Sequence, residues 1–145
     1  MTNPGTLTFS RNTLQSRAIL NNPAGSTIDV QNNNQFIYYN GGLAMAFNNA
    51  GLLKKSAGTG TSSIGITFTN TGSVDIETGI LSVPPYSETA TNTLTFVIGG
   101  MTPGPQFSRL LVSGGASLTG TSILSLLQAT APTLSINLVS FSLVV

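Results

Sequence analysis

The feature that most constrains the fold of this chain is a short phrase that occurs three times. Each copy has an apolar residue, a turn that carries Asn, and a Gly, and a strand-like run follows it. The copies are LNNPAG at residues 20–25, FNNAG at 47–51 and FTNTG at 68–72. A repeat of about 20 residues cannot enclose a core by itself, so successive copies must stack on one another. The phrase therefore predicts a solenoid.

The runs that follow the phrase alternate between apolar and polar residues, as β-strands with one buried face do. Val74 and Ile76 alternate with Asp75 and Glu77, which places both carboxylates on the outer face. Helical periodicity is nearly absent. We therefore expect an all-β fold, a parallel β-helix of about six or seven coils at roughly 20 residues per coil. With strands about 4.8 Å apart, the stack would be on the order of 30 Å long.

The Asn and Gly residues of the phrase are expected at the corners between strands. Asn tolerates the left-handed backbone conformation and bonds its own backbone, and Gly allows a positive φ or close backbone contact. Asn amides stacked at one position in successive coils also form hydrogen-bonded ladders. A ligand-binding role for the Asn residues is the alternative. The predicted corner and ladder residues are Asn22, Gly25, Asn49, Gly51, Asn70 and Gly72.

By its length of 145 residues the chain is one domain, which we interpret as a single β-solenoid over residues 1–145. The Asn/Gly coil repeats occupy residues 1–83, and C-terminal coils with an apolar tail strand occupy 84–145. The change of character falls at the Pro84-Pro85 pair. The segment MTPGPQ at 101–106 predicts a loop that leaves the stack.

Charged residues make up only 6 % of the chain, and the net charge is +1, whereas ordinary soluble domains have roughly 25 % charged residues. Electrostatic binding to nucleic acid or to anionic lipid is therefore not expected. A surface with so little charge repulsion favours association instead. Since the sequence has no apolar run of 18 residues, no transmembrane helix is expected.

The residues that usually carry catalysis are scarce. The chain has no Cys and no His, which excludes thiolate metal sites and triads of the Ser-His or Cys-His kind. Glycoside hydrolysis generally needs two carboxylates across a cleft. Asp29 and Asp75, with Lys54 and Lys55 in the coil between them, instead predict a ladder of alternating charge. Calcium at Asp29 or Asp75 is a weaker alternative, and we expect no enzymatic activity, no cofactor and no bound metal.

Rows of alternating Thr residues occur at 67–71 and 89–95. Flat Thr arrays on β-solenoids can bind ice, which makes ice binding a hypothesis for these rows. Thr is also simply a favourable strand residue.

Several segments resemble known proteins. These segments are YYNGG at 38–42, the phrase-bearing runs at 47–61 and 68–82, and the later runs at 85–90, 94–100 and 107–120. Together, over about residues 19–127, they resemble bacterial filamentous-haemagglutinin-like and autotransporter-passenger-like β-helix surface proteins. The resemblance implies a right-handed parallel β-helix that is secreted or displayed at the cell surface. It says little about function, because the same scaffold serves adhesion, secretion and matrix building.

The C-terminal tail suggests how copies of the chain could associate. Apolar residues alternate through 134–138 and then continue with the opposite parity through 139–145. Either a bulge shifts the phase, or the second half pairs with another subunit. We expect a non-enzymatic extracellular structural protein that assembles with itself, end to end, into a filament or surface layer. The predicted interface residues are Leu7 and Phe9 at one end and Val139, Phe141, Leu143, Val144 and Val145 at the other.

An adhesin module provides the alternative function. In that reading the chain is a carbohydrate- or surface-binding part of a larger β-helix protein. Tyr38 and Tyr39 would then be the residues that contact surface glycans.

Overall fold

In a computed structural model, the chain forms a solenoid of short parallel strands. The structure describes residues 2–9, 14–15, 19–33, 35–37, 46–88, 92–118 and 123–128. No helix in these ranges is long and apolar enough to cross a membrane. The stacked parallel strands confirm the all-β solenoid that the repeat predicts.

The first sheet has six strands, each paired in parallel with the next. They are, in spatial order, β1 (Thr6–Phe9), β4 (Thr27–Val30), β7 (Leu52–Lys55), β10 (Ser73–Ile76), β13 (Thr93–Ile98) and β16 (Ile123–Gln128).

The second sheet has five strands. They are β2 (Leu14–Gln15), β5 (Gln35–Ile37), β8 (Thr61–Ile64), β11 (Ile80–Val83) and β14 (Arg109–Val112). The remaining strands form a three-stranded sheet and a two-stranded sheet. The former contains β3 (Leu20–Asn22), β6 (Ala46–Asn49) and β9 (Thr67–Asn70), and the latter contains β12 (Tyr86–Glu88) and β15 (Ala116–Leu118).

The chain visits these sheets in rotation, so every third strand returns to the first sheet. Strands β1 to β15 make five complete coils, and β16 begins a sixth. The predicted number of six or seven coils is slightly higher than the number that the described residues form. The right-handed sense of the helix stays a prediction.

The three copies of the phrase lie directly above one another in β3, β6 and β9. Leu20, Phe47 and Phe68 share one register position, one per coil. The coils differ in length, because the ladder Asn residues are separated first by 27 and then by 21 positions. The strands nevertheless keep their register from coil to coil.

Inward-facing apolar residues of successive coils form the core. The alternation seen in the sequence is realised, since Val74 and Ile76 are buried whereas Asp75 and Glu77 face outward and are half-buried. The rings of Phe47 and Phe68 pack against each other, with their centroids 5.2 Å apart and their planes tilted by 40°. The fully or nearly fully buried apolar residues are Leu20, Ile28, Val30, Phe47, Leu53, Ile64, Ile66, Phe68, Val74, Ile76, Leu81, Val83 and Tyr86.

One irregular excursion interrupts the stack between β13 and β14, where the sequence predicts a loop. The Gln106 side-chain oxygen accepts hydrogen bonds from the amides of Met101 (3.1 Å) and Thr102 (2.9 Å) and braces the loop from within. Met101 is 93 % exposed at its tip. Gly104 anchors the loop by accepting a hydrogen bond from the amide of Gly79 (3.0 Å).

Candidate functional site: an asparagine ladder and an open coil

A ladder of Asn side chains runs through the interior along the axis of the solenoid. The Nδ2 group of Asn22 donates to Oδ1 of Asn49 (2.7 Å), and Nδ2 of Asn49 donates to Oδ1 of Asn70 (2.7 Å). All three side chains are buried. The ladder predicted from the sequence is therefore confirmed for Asn22, Asn49 and Asn70.

Each ladder amide also bonds to the backbone of a corner. The second Nδ2 proton of Asn22 is directed to the carbonyl of Leu52 (3.0 Å), and that of Asn49 to the carbonyl of Ser73 (3.3 Å). The ladder thus fastens the end of β3 to the start of β7, and the end of β6 to the start of β10. These hydrogen bonds offset the cost of removing the Asn amides from water.

The ladder is longer at both ends than the repeat predicts. Asn3 donates from Nδ2 to Oδ1 of Asn22 (3.0 Å), and Asn70 donates from Nδ2 to the hydroxyl of Tyr86 (3.3 Å). The sequence reasoning missed both residues. Asn3 precedes Pro4 and a Gly, as Asn22 precedes Pro23 and a Gly, and this likeness is the signal that could have found it.

The corner glycines are needed for the two reasons that the sequence suggests, a positive φ and close backbone contact. Gly25 has a φ of +82°, the left-handed conformation that disfavours other residues. Gly51 and Gly72 are required for close approach instead. A β-carbon on Gly72 would collide with the carbonyl oxygen of Gly51, and one on Gly51 with the carbonyl oxygen of Ser26.

The predicted ladder of alternating charge is present on the outer face of the first sheet. Lys54 pairs in register with Asp29 on one side and Asp75 on the other. Its Nζ forms an ion pair with Oε1 of Glu77 (2.8 Å), and this hydrogen bond raises the pKa of Lys54. Burial, with a smaller contribution from Glu77, raises the pKa of Asp75.

Lys55 does not belong to that outer ladder, and in this respect the sequence prediction was wrong. Because strand residues alternate between faces, the neighbour of outward-facing Lys54 must point inward. Lys55 is 0 % exposed. Its Nζ donates to the backbone carbonyls of Asn32 (3.1 Å) and Ala57 (2.9 Å).

The first coil has the internal bonds of the coils that follow it. The amide of Thr27 donates to the carbonyl of Gly5 (2.9 Å), as the amide of Ser73 donates to the carbonyl of Gly51 (2.9 Å) two corners further along the axis. Asn3 supplies the ladder amide. The first coil is therefore built like an internal coil.

Strand β1 is nevertheless the outermost strand of its sheet in the described part of the chain. Leu7 is aligned with Ile28 of the next coil, yet Leu7 is only half-buried whereas Ile28 is 0 % exposed. The outward residues Thr6 and Thr8 are exposed and uncharged. Proteins usually protect an edge strand with a charge, a Pro or a bulge, and the sequence TLTF of β1 has neither a charge nor a Pro.

Several predicted residues cannot be placed. Val139, Phe141, Leu143, Val144 and Val145 lie outside the described residues, and their role at an interface stays a prediction. Tyr38 and Tyr39 also lie outside them. Phe9 pairs in register with Val30 on the outermost strand.

The described Thr residues do not combine into a flat array. Thr67 and Thr69 are aligned with Ala46 and Asn48 of the preceding coil. Thr95 is aligned with Asp75. Neighbouring coils thus place other side chains beside the Thr rows, and the arrangement does not favour ice binding.

Two surface grooves run along corners of the solenoid. One is lined mainly by small residues around Gly25, Gly51 and Gly72, and the other is lined by apolar residues around Ile66 and the Pro84-Pro85 pair. Neither groove contains Asp29 or Asp75. Among the described residues, no three His, Cys, Asp or Glu side chains lie close enough together to hold a metal ion.

Comparisons with known families, curated proteins and solved structures gave no match. No family model matches the chain, and no curated protein or solved structure matches it either.

Proposed function

We propose that this protein is a structural subunit that assembles with copies of itself by stacking coil on coil. Its setting would be an extracellular filament or a surface layer. The β-helix architecture is compatible with the resemblance to filamentous-haemagglutinin-like and autotransporter-passenger-like surface proteins, and that resemblance supports the extracellular setting.

The observation that carries the proposal is the open first coil. It has the corner bond, the ladder amide and the aligned inward residue of an internal coil, but no described neighbour covers β1. Solenoids that remain monomeric need terminal caps with a polar outer face. A second copy stacked on β1 would pair the backbone groups of this edge that face no described strand, and it would bury Leu7.

The charges along the first sheet are also compatible with stacking. The charged positions Asp29, Lys54 and Asp75 compensate one another within the sheet. The aligned positions on either side of them are Thr8 and Thr95, which are uncharged. Copies that approach along the axis therefore meet no repulsion between like charges in this column.

The proposed partner segment is the apolar tail of a neighbouring copy. Residues 139–145 carry four apolar residues in alternation, and such a segment can add to an exposed sheet edge through backbone hydrogen bonds and side-chain pockets. In the assembly, Phe141, Leu143, Val144 and Val145 of one copy would lie against Leu7 and Phe9 of the next.

Charges placed on the open edge test the proposal. The double variant Thr6→Lys and Thr8→Lys should lower the assembled fraction strongly, because two ammonium groups would flank the pairing edge. The matched control is Thr67→Lys with Thr69→Lys, which adds the same charges at two other exposed Thr positions, in β9. Light scattering after size-exclusion chromatography, at several concentrations, measures the assembled fraction.

The control should assemble as the unmodified protein does. Equal assembly of both double variants would exclude β1 as the interface. An unmodified protein that stays monomeric at every concentration would exclude self-assembly altogether.

A further inference from the structure

The buried Lys55 side chain is a feature that the structural role does not explain. It lies in the first sheet at a position that is Val30 in the preceding coil and Ile76 in the following one. Both neighbours are 0 % exposed, and so is Lys55. A cation thus replaces an aliphatic side chain in the centre of the core.

The turns of three successive coils enclose this side chain. Its Nζ holds the carbonyl of Asn32 from one turn and that of Ala57 from the next. Gly79, from the third turn, lies so close that a β-carbon added to it would stand 2.7 Å from Cε of Lys55. Ser62 Oγ also donates to the Asn32 carbonyl (2.7 Å). We refer to the turns at residues 31–33, 56–60 and 77–79 as the lysine corner.

No described charged group faces the ammonium from these elements. Asp29, Lys54, Asp75 and Glu77 are the charged residues of β4, β7, β10 and the turns that follow them, and all four belong to the outer face. Glu77 is paired with Lys54, and Asp29 accepts a hydrogen bond from Gln31 (2.9 Å). Strand β8 and the turn at 56–60 contain no titratable residue.

The corner also contains a polar atom without a partner. Oδ1 of Asn32 is buried and accepts no hydrogen bond within the described part of the chain. An uncompensated cation and an unpaired carbonyl oxygen both gain when water enters. Each therefore favours local opening of the corner.

We propose that Lys55 makes the lysine corner a protonation-dependent latch, which opens locally while Nζ is an ammonium and stays closed once Nζ is a neutral amine. The amine keeps two N–H donors, enough for the carbonyls of Asn32 and Ala57. Only the charged form requires solvent. The opposite corner, where Gly25, Gly51 and Gly72 stack, has no titratable group and should not respond.

The direction and the pH range follow from the lysine's environment. Burial lowers the pKa of Lys55 from 10.5 to about 8 in the closed form, whereas an open corner restores its ordinary value. Below pH 8 both forms are protonated and opening is at its maximum. Between about pH 8 and 10 only the open form binds the proton, so opening becomes rarer as the pH rises. The equilibrium constant for opening of the lysine corner should therefore fall about tenfold between pH 7 and pH 9.

Amide hydrogen exchange resolved by residue tests this latch. The reporter at the lysine corner is the amide of Ile80, which donates to the carbonyl of Gly60 (3.0 Å). The reporter at the opposite corner is the amide of Ser73, which donates to the carbonyl of Gly51. After division by the intrinsic exchange rates, protection of Ile80 should rise about tenfold from pH 7 to pH 9, and protection of Ser73 should stay constant.

Two neighbouring lysines provide matched variants. Lys55→Met should abolish the pH dependence at Ile80, whereas Lys54→Met, which removes the adjacent outward lysine, should keep it. Equal pH dependence at both corners, or none at Ile80, would overturn the latch. If Lys55→Met does not fold, the comparison of the two corners in the unmodified protein decides, together with the pH midpoint of the Lys55 Cε resonance. A midpoint near 10.5 would also overturn the proposal.

Discussion

Asn22 and Asn49 are 27 residues apart in the sequence, yet a hydrogen bond of 2.7 Å joins their side chains in the interior. This bond continues through Asn3 on one side and Asn70 on the other. One column of amides therefore links four coils and holds the corners in register.

Loss of one rung of the ladder should destabilise the whole solenoid. Asn49→Ala removes the bonds to both neighbouring Asn residues and leaves buried amide groups of Asn22 and Asn70 without this partner. We expect the free energy of unfolding to fall by roughly 2–3 kcal/mol. Asn48→Ala is the control, because Asn48 is half-buried and its one side-chain bond to the described residues is donated to Asn21 (2.9 Å). Chemical denaturation should show a loss of about 1 kcal/mol or less for the control, and equal losses would contradict a stabilising ladder.

Close packing of the corners should make one glycine indispensable and another replaceable. Gly72→Ala places a methyl group against the carbonyl of Gly51, which should cost about 1–3 kcal/mol or more. Gly5→Ala, at the equivalent corner of the first coil, meets no atom within 4 Å. Thermal unfolding should therefore separate the two variants, with Gly5→Ala within about 0.5 kcal/mol of the unmodified protein. A tolerated Gly72→Ala would refute the corner geometry.

Asp75 should be a residue that lowers stability at neutral pH. Burial raises its pKa, so the folded state holds the proton more tightly than the unfolded state. Its destabilising effect is absent at low pH, where both states are protonated, and appears as the pH rises through the unfolded and then the folded pKa. Asp75→Asn should therefore raise the free energy of unfolding slightly at pH 7, by less than about 1 kcal/mol. The gain should vanish at pH 3, and a gain that is the same at both pH values would exclude this origin.

Removal of the apolar tail should prevent assembly and leave the solenoid folded. Deletion of residues 139–145 takes away the segment proposed to cover β1 of the next copy. We expect soluble monomers with unchanged far-UV circular dichroism. Assemblies of unchanged size would show that the tail is not the partner segment.

The repeat was sufficient to predict the coil stack and the ladder, because period and residue type both act locally. The phrase fixes where Asn and Gly recur, and stacked corners require those residues. The end of the ladder at Tyr86 could not be predicted, since a hydroxyl from a strand of different sequence replaces the amide there. Asn3 was missed although MTNPG at residues 1–5 has the same spacing as FTNTG at 68–72, with Met1 in place of Phe68.

The position of Lys55 shows where residue type and position in the strand conflict. Its charge favours the surface, whereas its place in β7 between Val30 and Ile76 of the adjacent coils fixes it inside. The strand alternation prevails, because turning one residue outward would shift the whole strand by one position and expose Leu53. Carbonyls of the turns supply the partners, and such partners cannot be inferred from the sequence.

Electron microscopy of the purified protein, over a range of concentrations, shows directly whether its copies stack end to end. We expect filaments in which each subunit advances the axis by the height of its stack, roughly 30 Å for the six strands of the first sheet at about 4.8 Å each. Separate particles at every concentration, or filaments whose subunit rise bears no relation to a whole number of coils, would contradict end-to-end stacking.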